Sequence, residues 1–382
     1  MPILDDDSQK DEILIIAAEA SSCMYAIRLI EEWKKTFPQH HFFGVGDQAM
    51  AEAGVECLGY AEDLAVVGIQ EVISHWTEIK TTFNSILDHC EKKKPKFAIL
   101  LDYPGFNLRM AKKLKEQGIP VVYYISPQLW AWKKGRIKQV REYVDDMLVV
   151  FPFEVDFYKS QNVEAHFVGH PLVEVVEEDL SKGLAEKSEE VVLGLMPGSR
   201  KSEINHNFLV QLKAAEILKK EHNIKVKVLV APTLKTSNLK ILAGELGNEV
   251  EFVKGTPTDM IKDCDYILTA SGTATLQVAL CEKPMIVMYR MNSVTAVLAK
   301  MLVRSVKAFC IVNLIAQEMI VPEFFQEKAN PSGLAQAISD LINNKQKKDK
   351  MISDLIAIKE KLGDGRATLN VVAFLKKKYY SL

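Results

Sequence analysis

Residues 268–280 read Leu-Thr-Ala-Ser-Gly-Thr-Ala-Thr-Leu-Gln-Val-Ala-Leu and give the clearest structural signal in the chain. An apolar run, 266–270, ends in the small-residue turn Ser271-Gly272-Thr273, and an apolar helical pattern follows directly. A strand that ends in such a turn before a helix leaves backbone N–H groups unpaired at the positive end of the helix dipole, where they bind phosphate. The stretch therefore predicts a strand, a phosphate-binding turn and a helix.

A second turn of the same kind lies upstream of this stretch. The apolar run 191–196 is followed by Pro197-Gly198-Ser199-Arg200-Lys201-Ser202-Glu203. This turn adds a guanidinium and an ammonium group, which suit a doubly charged diphosphate. Two phosphate-binding turns within one half of the chain predict a nucleoside diphosphate ligand.

The bulk composition is that of a globular protein with two domains. The chain has 382 residues, of which 48% are hydrophobic and 26% are charged, and its net charge is −2. This length exceeds one compact core, and the near-zero charge gives no general attraction to nucleic acid. The six cysteines form no C-x-x-C pair, which indicates reduced thiols in a cytosol. The eight histidines show no metal-binding spacing, so we expect neither a metal nor another cofactor.

Short apolar runs alternate with helical patterns from end to end. The predicted strands are 13–18, 41–45, 97–102, 121–126, 147–151, 166–168, 191–196, 226–230, 250–253, 266–270 and 285–289. The predicted helices include 25–36, 108–117, 208–221, 273–281, 334–341 and 366–380. Runs of this length, bounded by Gly and Pro, suit strands buried on both faces. The alternation predicts an α/β fold class, with two doubly wound Rossmann-like domains facing across a cleft.

The boundary between the domains is expected at the acidic stretch 174–190, which contains little to bury. The first domain then covers residues 1–173 and the second covers residues 191–365, with the stretch between them as a linker. The last segment, 366–382, carries an apolar stripe that suits packing back onto the first domain. Ligands of such folds bind at the carboxyl ends of the strands, which places the expected active site there.

Seven short motifs occur in the order and at the spacing of one known family. They are Asp-Tyr-Pro-Gly-Phe-Asn at 102–107, Tyr-Ile-Ser-Pro-Gln-Leu-Trp-Ala-Trp at 124–132, Phe-Pro-Phe-Glu at 151–154, Phe-Val-Gly-His-Pro at 167–171, Leu-Met-Pro-Gly-Ser-Arg at 195–200, Ala-Ser-Gly-Thr-Ala-Thr-Leu at 270–276 and Val-Pro-Glu at 321–323. Any one of them is weak, but together they cover nearly the whole chain. The sequence resembles the lipid-A-disaccharide synthase family.

The resemblance implies a GT-B fold and an inverting glycosyl transfer without metal. The implied donor is UDP-2,3-diacylglucosamine, and the implied acceptor is 2,3-diacylglucosamine 1-phosphate. The implied products are a β-1,6-linked lipid A disaccharide and UDP. Peripheral attachment to the cytoplasmic face of the inner membrane is also implied. The oligomeric state stays open, with a homodimer as one option.

Asp102 and Arg200 are the candidate catalytic residues. Asp102 closes an apolar run, so its carboxylate can either take the proton of the acceptor's 6-hydroxyl or cap the following helix. Arg200 can either stabilise charge on the leaving UDP or lie exposed beside a helix start. The resemblance favours the functional interpretation of both residues.

The other candidates on the donor side are Gly198, Ser199, Ser271–Thr273, Gln277 and Asn313. Ser271 or Thr273 can equally be an ordinary helix N-cap, and Asn313 can be a turn asparagine. Gln277 stands where the resemblance leads us to expect Glu. A carboxylate binds ribose hydroxyls through charge-assisted hydrogen bonds, so an amide there predicts weaker binding.

The acceptor side is assigned to Glu19, Ser21 and Asn107. The family's first strand usually ends in Ala-Gly-Glu-x-Ser-Gly-Asp, whereas residues 17–23 read Ala-Ala-Glu-Ala-Ser-Ser-Cys. Two glycines that permit close approach or positive φ are thus replaced by Ala18 and Ser22, and the aspartate is replaced by Cys23. Asp47 replaces a usual glycine, and Gln317-Glu318-Met319 replaces Gly-Arg-Glu. These changes predict an altered substrate preference, weaker donor binding or reduced activity.

Several features suit a membrane surface. Trp130 and Trp132 precede the basic cluster 133–136 and can meet lipid headgroups, stack on sugar or pack at a domain edge. The resemblance implies that an apolar segment, 64–76, forms an exposed patch that contacts acyl chains, whereas its helical spacing alone usually marks core. Lysines cluster at 92–96, 345–350 and 376–378, either as solvated surface or as sites for anionic lipid.

Two alternatives remain open from the sequence. One is another GT-B enzyme, such as a UDP-GlcNAc epimerase, which needs no lipid surface. The other is a diverged, non-catalytic protein that binds a UDP-sugar or lipid, consistent with the replacements at Ala18, Cys23 and Gln277.

Overall fold

A computed structural model describes residues 11–64, 76–130, 134–183, 190–291 and 308–381. The chain forms two compact units, one of Met1–Pro171 with Asp364–Leu382 and one of Leu172–Gly363. Each unit contains one parallel β-sheet with helices packed against it. The α/β class predicted from the alternating pattern is confirmed.

The first unit is built on a seven-stranded sheet. Its strands are β1 Glu12–Ala17, β2 His41–Gly46, β3 Val55–Tyr60, β4 Phe97–Leu101, β5 Val121–Tyr124, β6 Asp146–Val149 and β7 Ala165–Phe167. They lie in the order β3-β2-β1-β4-β5-β6-β7, and every paired strand is parallel to its neighbour. All residues of β4 and β5 are buried. A strand that is apolar along its whole length has no side for solvent, so helices cover the sheet.

The helices of the first unit follow the strands in alternation. They are α1 Ala20–Lys34, α2 Gln48–Glu52, α3 Ala61–Leu64, α4 Trp76–Lys93, α5 Pro104–Glu116, α6 Ile137–Tyr143 and α7 Pro152–Ser160. Pro104 and Pro152 stand in the first turns of α5 and α7, where a missing N–H removes no helical hydrogen bond.

The second unit is built on a six-stranded sheet. Its strands are β8 Val191–Met196, β9 Ile224–Leu229, β10 Glu251–Val253, β11 Tyr266–Ala270, β12 Met285–Tyr289 and β13 Glu323–Phe325. They lie in the order β10-β9-β8-β11-β12-β13 and are parallel throughout. Its helices are α8 Pro171–Ser181, α9 Lys201–Glu221, α10 Thr236–Ala243, α11 Pro257–Lys262, α12 Thr273–Leu280, α13 Ile311–Ala316, α14 Pro331–Asn343 and α15 Lys345–Lys361.

The last helix, α16 Ala367–Tyr380, belongs to the first unit and packs against α1. Val371, Val372 and Leu375 are buried on its inner face, and the ring of Tyr380 lies 5.6 Å from that of Trp33. Each buried aliphatic side chain contributes about 1.5–3 kcal/mol, so this helix fixes the chain end firmly to the first unit.

The structure differs from the predicted elements in three respects. Strands β3 and β13 were not predicted, because β3 is half-exposed and β13 has only three residues, too short to show a pattern. Helices α1, α5 and α9 begin four to seven residues earlier than predicted, since their first turns lack apolar periodicity. Helix α8 occupies the first part of the expected linker, where Val173 and Val176 are buried.

Candidate active site

In each sheet, predicted site residues follow a pair of neighbouring strands at the point where the strand order of that sheet reverses. In the first sheet β1 and β4 are neighbours, and Glu19 and Asp102 follow them. In the second sheet β8 and β11 are neighbours, and the turns 197–200 and 271–273 follow them. Open α/β sheets bind their ligands at this crevice, outside the carboxyl ends of the strands. Each unit therefore carries its candidates at the position where this fold class binds substrate.

Asp102 has the electrostatic character of a general base. Its pKa is raised from 3.8 to about 7, first by burial and then by the like charge of Glu19. A base with a pKa near the working pH combines a useful ionised fraction with a strong pull on a proton. Asp102 and Glu19, which follow neighbouring strands, therefore interact electrostatically.

The backbone at Asp102 is held in an unusual conformation. Asp102 and Tyr103 have φ values of 46° and 42°, in the left-handed region that non-glycine residues seldom occupy. Tyr103 is the N-cap position of α5 and donates a hydrogen bond from its hydroxyl to the carbonyl of Leu64. Such conformations persist only when surrounding contacts hold them, and they concentrate at functional sites.

The buried side chain of Asn107 helps to hold the backbone of Asp102 in this conformation. Its side chain is 0% exposed, and its Nδ2 donates to the carbonyl oxygens of Leu101 at 3.0 Å and Asp102 at 2.8 Å. The hydroxyl of Tyr123, on β5, donates to the same carbonyl of Asp102. Asn107 therefore lies beneath the Asp102 turn and supports it, and its assignment to the acceptor side stays a prediction.

Glu19 and Ser21 lie at the start of α1. Glu19 is exposed at the N-cap position, and its side chain makes no capping hydrogen bond. Ser21 is half-buried in the first turn. Both are accessible from the carboxyl end of β1, where the acceptor was expected.

The residues that replace two glycines and an aspartate of the family pattern are accommodated without strain. Ala18, Ser22 and Cys23 are buried, and neither Ala18 nor Ser22 has a positive φ. The thiol of Cys23 donates to the carbonyl of Ala17 at 3.4 Å, and burial together with Asp47 raises its pKa to about 12. These side chains fill the first unit's interior, so they do not form a reactive thiol or a substrate contact.

Asp47 has a local structural role. It stands at the N-cap of α2, and its Oδ1 accepts a hydrogen bond from the backbone N–H of Met50 at 3.0 Å. Capping by Asp stabilises a helix by about 1 kcal/mol, which gives this replacement of glycine a physical reason.

A buried carboxyl anchors the loop that follows β5. Glu154 is 1% exposed, and its Oε1 accepts hydrogen bonds from Ser126 Oγ at 2.6 Å and Trp130 Nε1 at 3.3 Å. Its Oε2 accepts from the backbone N–H of Phe151 at 3.1 Å. Burial raises the pKa of Glu154 to about 7 despite these donors. Trp130 is thus anchored to this loop through its ring nitrogen and is half-buried.

The predicted phosphate-binding turn at 197–200 is already occupied by a carboxylate of the protein. Glu203, in the first turn of α9, accepts hydrogen bonds through Oε2 from the backbone N–H groups of Ser199 at 3.0 Å and Arg200 at 3.3 Å. Arg200 Nη1 lies 3.4 Å from Glu203 Oε1, and the arginine side chain is 61% exposed. Two of the amides expected to hold phosphate are therefore engaged by a carboxylate, while the guanidinium remains accessible at the surface.

The predicted phosphate-binding turn at 271–273 is open to solvent. Gly272 and Thr273 are exposed, and a Cβ added at Gly272 meets no atom within 4 Å. Ser271 donates its backbone N–H to the carbonyl of Met288 at 2.9 Å. In the part of the chain that the structure describes, no hydrogen bond engages the backbone N–H of Gly272 or of Thr273. These two amides, at the N-terminus of α12, are placed to receive phosphate.

The side chains of Gln277 and Asn313 form hydrogen bonds within the second unit. Gln277, one helical turn beyond the open amides, donates from Nε2 to Thr258 Oγ1 at 3.4 Å. Asn313 is 1% exposed, and its Oδ1 accepts the backbone N–H groups of Ile320 and Val321 at 2.8 and 2.9 Å. Both polar atoms of the Asn313 side chain are thus bonded within the unit, and its contact with donor stays a prediction.

The side-chain amide of Asn313 completes this network. Its Nδ2 donates to the carbonyl of Val321 at 2.8 Å and to Glu323 Oε1 at 2.6 Å, and it lies 3.0 Å from Met319 Sδ. Glu323 in turn accepts the backbone N–H of Cys310 at the start of α13. Glu318 is exposed beside this network. Asn313 therefore fixes the segment between α13 and β13.

Some predicted features lie outside the described residues. They are Trp132, Lys133 at the start of the basic cluster, and the residues of the apolar segment 64–76 between Leu64 and Trp76. Leu64 itself is 0% exposed.

Sequence reasoning missed four residues that shape the site, namely Tyr123, Glu154, Glu203 and Thr258. Tyr123 lies in an apolar run that predicts only a strand, so its hydroxyl gave no signal. Glu154 and Glu203 did have a recognisable sequence signal. Each follows a strand end by a few residues and stands at the third position of a helix, where a carboxylate binds N-terminal amides.

The described residues lack a metal-binding cluster and a membrane-spanning helix. No group of three or more His, Cys, Asp or Glu side chains there is arranged to hold a metal ion. No helix among the same residues is long and apolar enough to cross a membrane.

Comparison with known proteins assigns the chain to one family. Residues 13–373 match a family model described as lipid-A-disaccharide synthetase. Lipid-A-disaccharide synthase of Anaeromyxobacter dehalogenans (strain 2CP-C) is 37% identical over 367 residues, covering 94% of this chain and 96% of that protein. The protein of the same name from Nitrosococcus oceani is 40% identical over 364 residues and covers 92% of both chains.

Solved structures show the fold class. The UDP-GlcNAc 2-epimerase from Neisseria meningitidis bound to UDP-GlcNAc superposes with a TM-score of 0.67 at 14% identity, covering 96% of this chain and 100% of that one. The calicheamicin glycosyltransferase CalG4 superposes with a TM-score of 0.60 at 13% identity, covering 97% and 99%. At such identities the likeness shows the fold alone, which is that of the GT-B glycosyltransferases and epimerases.

Proposed function

The chain belongs to the lipid-A-disaccharide synthase family, and from that premise we propose how its two units carry out the reaction. The enzyme is a hexosyltransferase that joins UDP-2,3-diacylglucosamine to 2,3-diacylglucosamine 1-phosphate, forming a β-1,6-linked disaccharide and releasing UDP. An epimerase and a non-catalytic binder are not favoured, because the epimerases share only the fold whereas relatives at 37% and 40% identity are named as synthases.

The first unit supplies the base. The acceptor's 6-hydroxyl oxygen attacks the anomeric carbon of the donor, and Asp102 takes the hydroxyl proton as the new bond forms. Burial keeps the pKa of Asp102 high, and the like charge of Glu19 adds to the effect. Glu19 follows the neighbouring strand, where it can also bind acceptor hydroxyls. Ser21 is assigned to the same acceptor surface.

The second unit holds the donor's diphosphate. The bond between the anomeric carbon and the phosphate oxygen breaks as UDP leaves, and negative charge accumulates on that oxygen. The open amides of Gly272 and Thr273 and the guanidinium of Arg200 take this charge. Glu203 must release the amides of Ser199 and Arg200 before they can bind phosphate, so donor binding includes a local rearrangement of this turn.

One observation carries this assignment: the two sheets reverse their strand order at sites of opposite character. The first reversal point carries the carboxylates of Glu19 and Asp102, and the second carries a cation and unpaired amides. A base for a hydroxyl and a site for a departing diphosphate are the two groups that an inverting transfer needs. Gln277, beyond the amides, is assigned to the ribose hydroxyls.

We also propose that the enzyme works at the cytoplasmic face of the inner membrane. Both substrates carry acyl chains, and the chain has an apolar segment at 64–76 and lysine clusters at 92–96 and 376–378. Binding to vesicles of anionic lipid, measured by flotation with and without substrate, tests this placement. Static light scattering decides between a monomer and the homodimer considered above.

Release of UDP from the purified protein tests the reaction. With both acylated substrates present, the wild-type protein should release UDP and form the disaccharide, whereas Arg200→Ala should lose transfer and remain folded. Arg366→Ala is the matched control, since Arg366 is similarly exposed and pairs with one carboxylate, Asp364. UDP binding without turnover in the wild-type protein would instead support a non-catalytic binder, and full activity of Arg200→Ala would remove the leaving-group role.

A further inference from the structure

We propose that Tyr123 and Asn107 are positioning residues that aim the Asp102 carboxylate by gripping its backbone carbonyl. This proposal rests on the proposed role of Asp102 as the base. Neither residue reaches substrate, because both are 0% exposed. They act through the main chain of the residue they hold.

The direction of the Asp102 side chain depends on its backbone conformation. A left-handed residue points its Cβ differently from a residue in the extended conformation that continues a strand, so the φ of 46° aims the carboxylate. Tyr103, the next residue, is left-handed as well. Two consecutive non-glycine residues in this region relax to ordinary conformations unless contacts oppose the change.

The contacts that oppose it converge on one peptide group. Asn107 Nδ2 donates to the carbonyl of Asp102 at 2.8 Å, and the hydroxyl of Tyr123 donates to the same oxygen. The N–H of Asp102 donates to the carbonyl of Tyr124 at 3.2 Å, which fixes the other side of the residue. Since a peptide carbonyl has two lone pairs, these two donors saturate it and prevent the peptide from rotating.

The two donors reach the carbonyl from different elements. Asn107 stands in the first helical turns of α5, and Tyr123 stands within β5, the strand paired with β4. Asn107 Nδ2 also donates to the carbonyl of Leu101 at 3.0 Å, so the end of β4 and the turn are tied together. Helix α5 and strand β5 are held in place by packing, so hydrogen bonds from both of them fix the turn that carries the base. A catalytic group has to be held in this way to stay in its productive geometry.

The substitution Tyr123→Phe tests the proposal with the smallest possible change. It removes one hydroxyl and keeps the buried ring, so the unit should fold. We expect kcat to fall by about 10- to 100-fold, the effect of a displacement of about 1 Å in a reacting group. We expect KM for both substrates and the affinity for UDP to stay within about twofold of wild type, because the donor turns belong to the other unit.

Tyr266→Phe is the matched control. Tyr266 is also a buried strand tyrosine whose hydroxyl donates to a backbone carbonyl, that of Leu341, and it lies in the second unit. This variant should keep the wild-type kcat. Asn107→Ala is a second variant, and it should lower kcat with UDP binding unchanged. The proposal is overturned if Tyr123→Phe and Asn107→Ala lower the melting temperature but, at temperatures where they are folded, have the kcat of the wild-type protein. Tyr123 and Asn107 would then have a structural role only.

The failure of this proposal and that of the base assignment are distinguishable. Asp102→Asn should abolish transfer while UDP still binds. If Asp102→Asn retains activity, the base assignment itself fails. If Asp102→Asn is inactive and Tyr123→Phe has the kcat of wild type, only the positioning role is lost.

Discussion

The pH dependence of transfer should reveal the coupling between Glu19 and Asp102. A base acts in its ionised form, so kcat/KM should fall as the pH drops through the pKa of Asp102, which is about 7. Burial is the larger cause of this raised pKa and the charge of Glu19 is the second. The substitution Glu19→Gln removes that charge and retains the shape of the side chain. The acid limb of the pH profile should therefore move to lower pH.

The size of the effect follows from the order of the two causes. With a pKa of about 7, roughly one-tenth of Asp102 is ionised at pH 6, so wild-type kcat/KM there should be about a tenth of its plateau. In the variant, the limb should move downward but remain well above the ordinary value of 3.8, because burial persists. The fraction of plateau activity retained at pH 6 should be larger in Glu19→Gln than in wild type.

The assay is UDP release from about pH 5 to pH 9 with both substrates well below KM, since kcat/KM reports the free enzyme. Phosphate groups of the substrates titrate in the same range, but they do so equally for both proteins, so the displacement between the profiles isolates the enzyme. Glu31→Gln is the matched control, an exposed glutamate on the same helix. Coincident acid limbs for wild type and Glu19→Gln, or a limb moved to higher pH, would refute the reasoning.

Three other predictions concern the second unit. Asn313→Ala should lower the free energy of unfolding by about 2–4 kcal/mol, because several buried polar groups lose their partner, and hydrogen exchange should speed up at residues 320–321. Gly198→Ala should weaken UDP binding in calorimetry, since the φ of 119° is strained for alanine and its Cβ would lie 2.5 Å from Glu203 Oε2. Gln277→Glu should tighten UDP binding by roughly fivefold, about 1 kcal/mol, if a carboxylate binds the ribose more strongly than an amide; unchanged affinity would place the ribose elsewhere.

The strands were the most predictable part of the fold. Runs such as 191–196, 266–270 and 285–289 were predicted with the bounds that the structure has, because a strand buried on both faces must be apolar throughout. The positions of Asp102 and of the turns followed from that, since a polar residue after such a run has to lie at the sheet's edge. The half-exposed strand Val55–Tyr60 gave no comparable signal.

The partners of the site residues were not predictable in the same way. Nothing in the sequence near Asn313 indicates that its amide will meet Glu323, ten residues away, instead of a ligand. The hydroxyl of Tyr123 reaches Asp102 across a strand pair, and such a contact depends on the register of the sheet. Sequence patterns locate an edge or a face, whereas the choice between binding a substrate and binding the protein's own backbone is made by tertiary packing.

Some of the replacements that distinguish this chain from its family have a local structural role, whereas one lies beside the donor site. Cys23, in place of an aspartate, and Asp47, in place of a glycine, form hydrogen bonds with nearby backbone groups and so stabilise the first unit locally. Gln317 occupies a left-handed position, φ 61°, at the end of α13, where a glycine would sit without strain. Gln277 alone lies one turn from the open amides of the donor site. If this chain differs from its relatives in activity, the cause should therefore be its affinity for the nucleotide and not the general base Asp102.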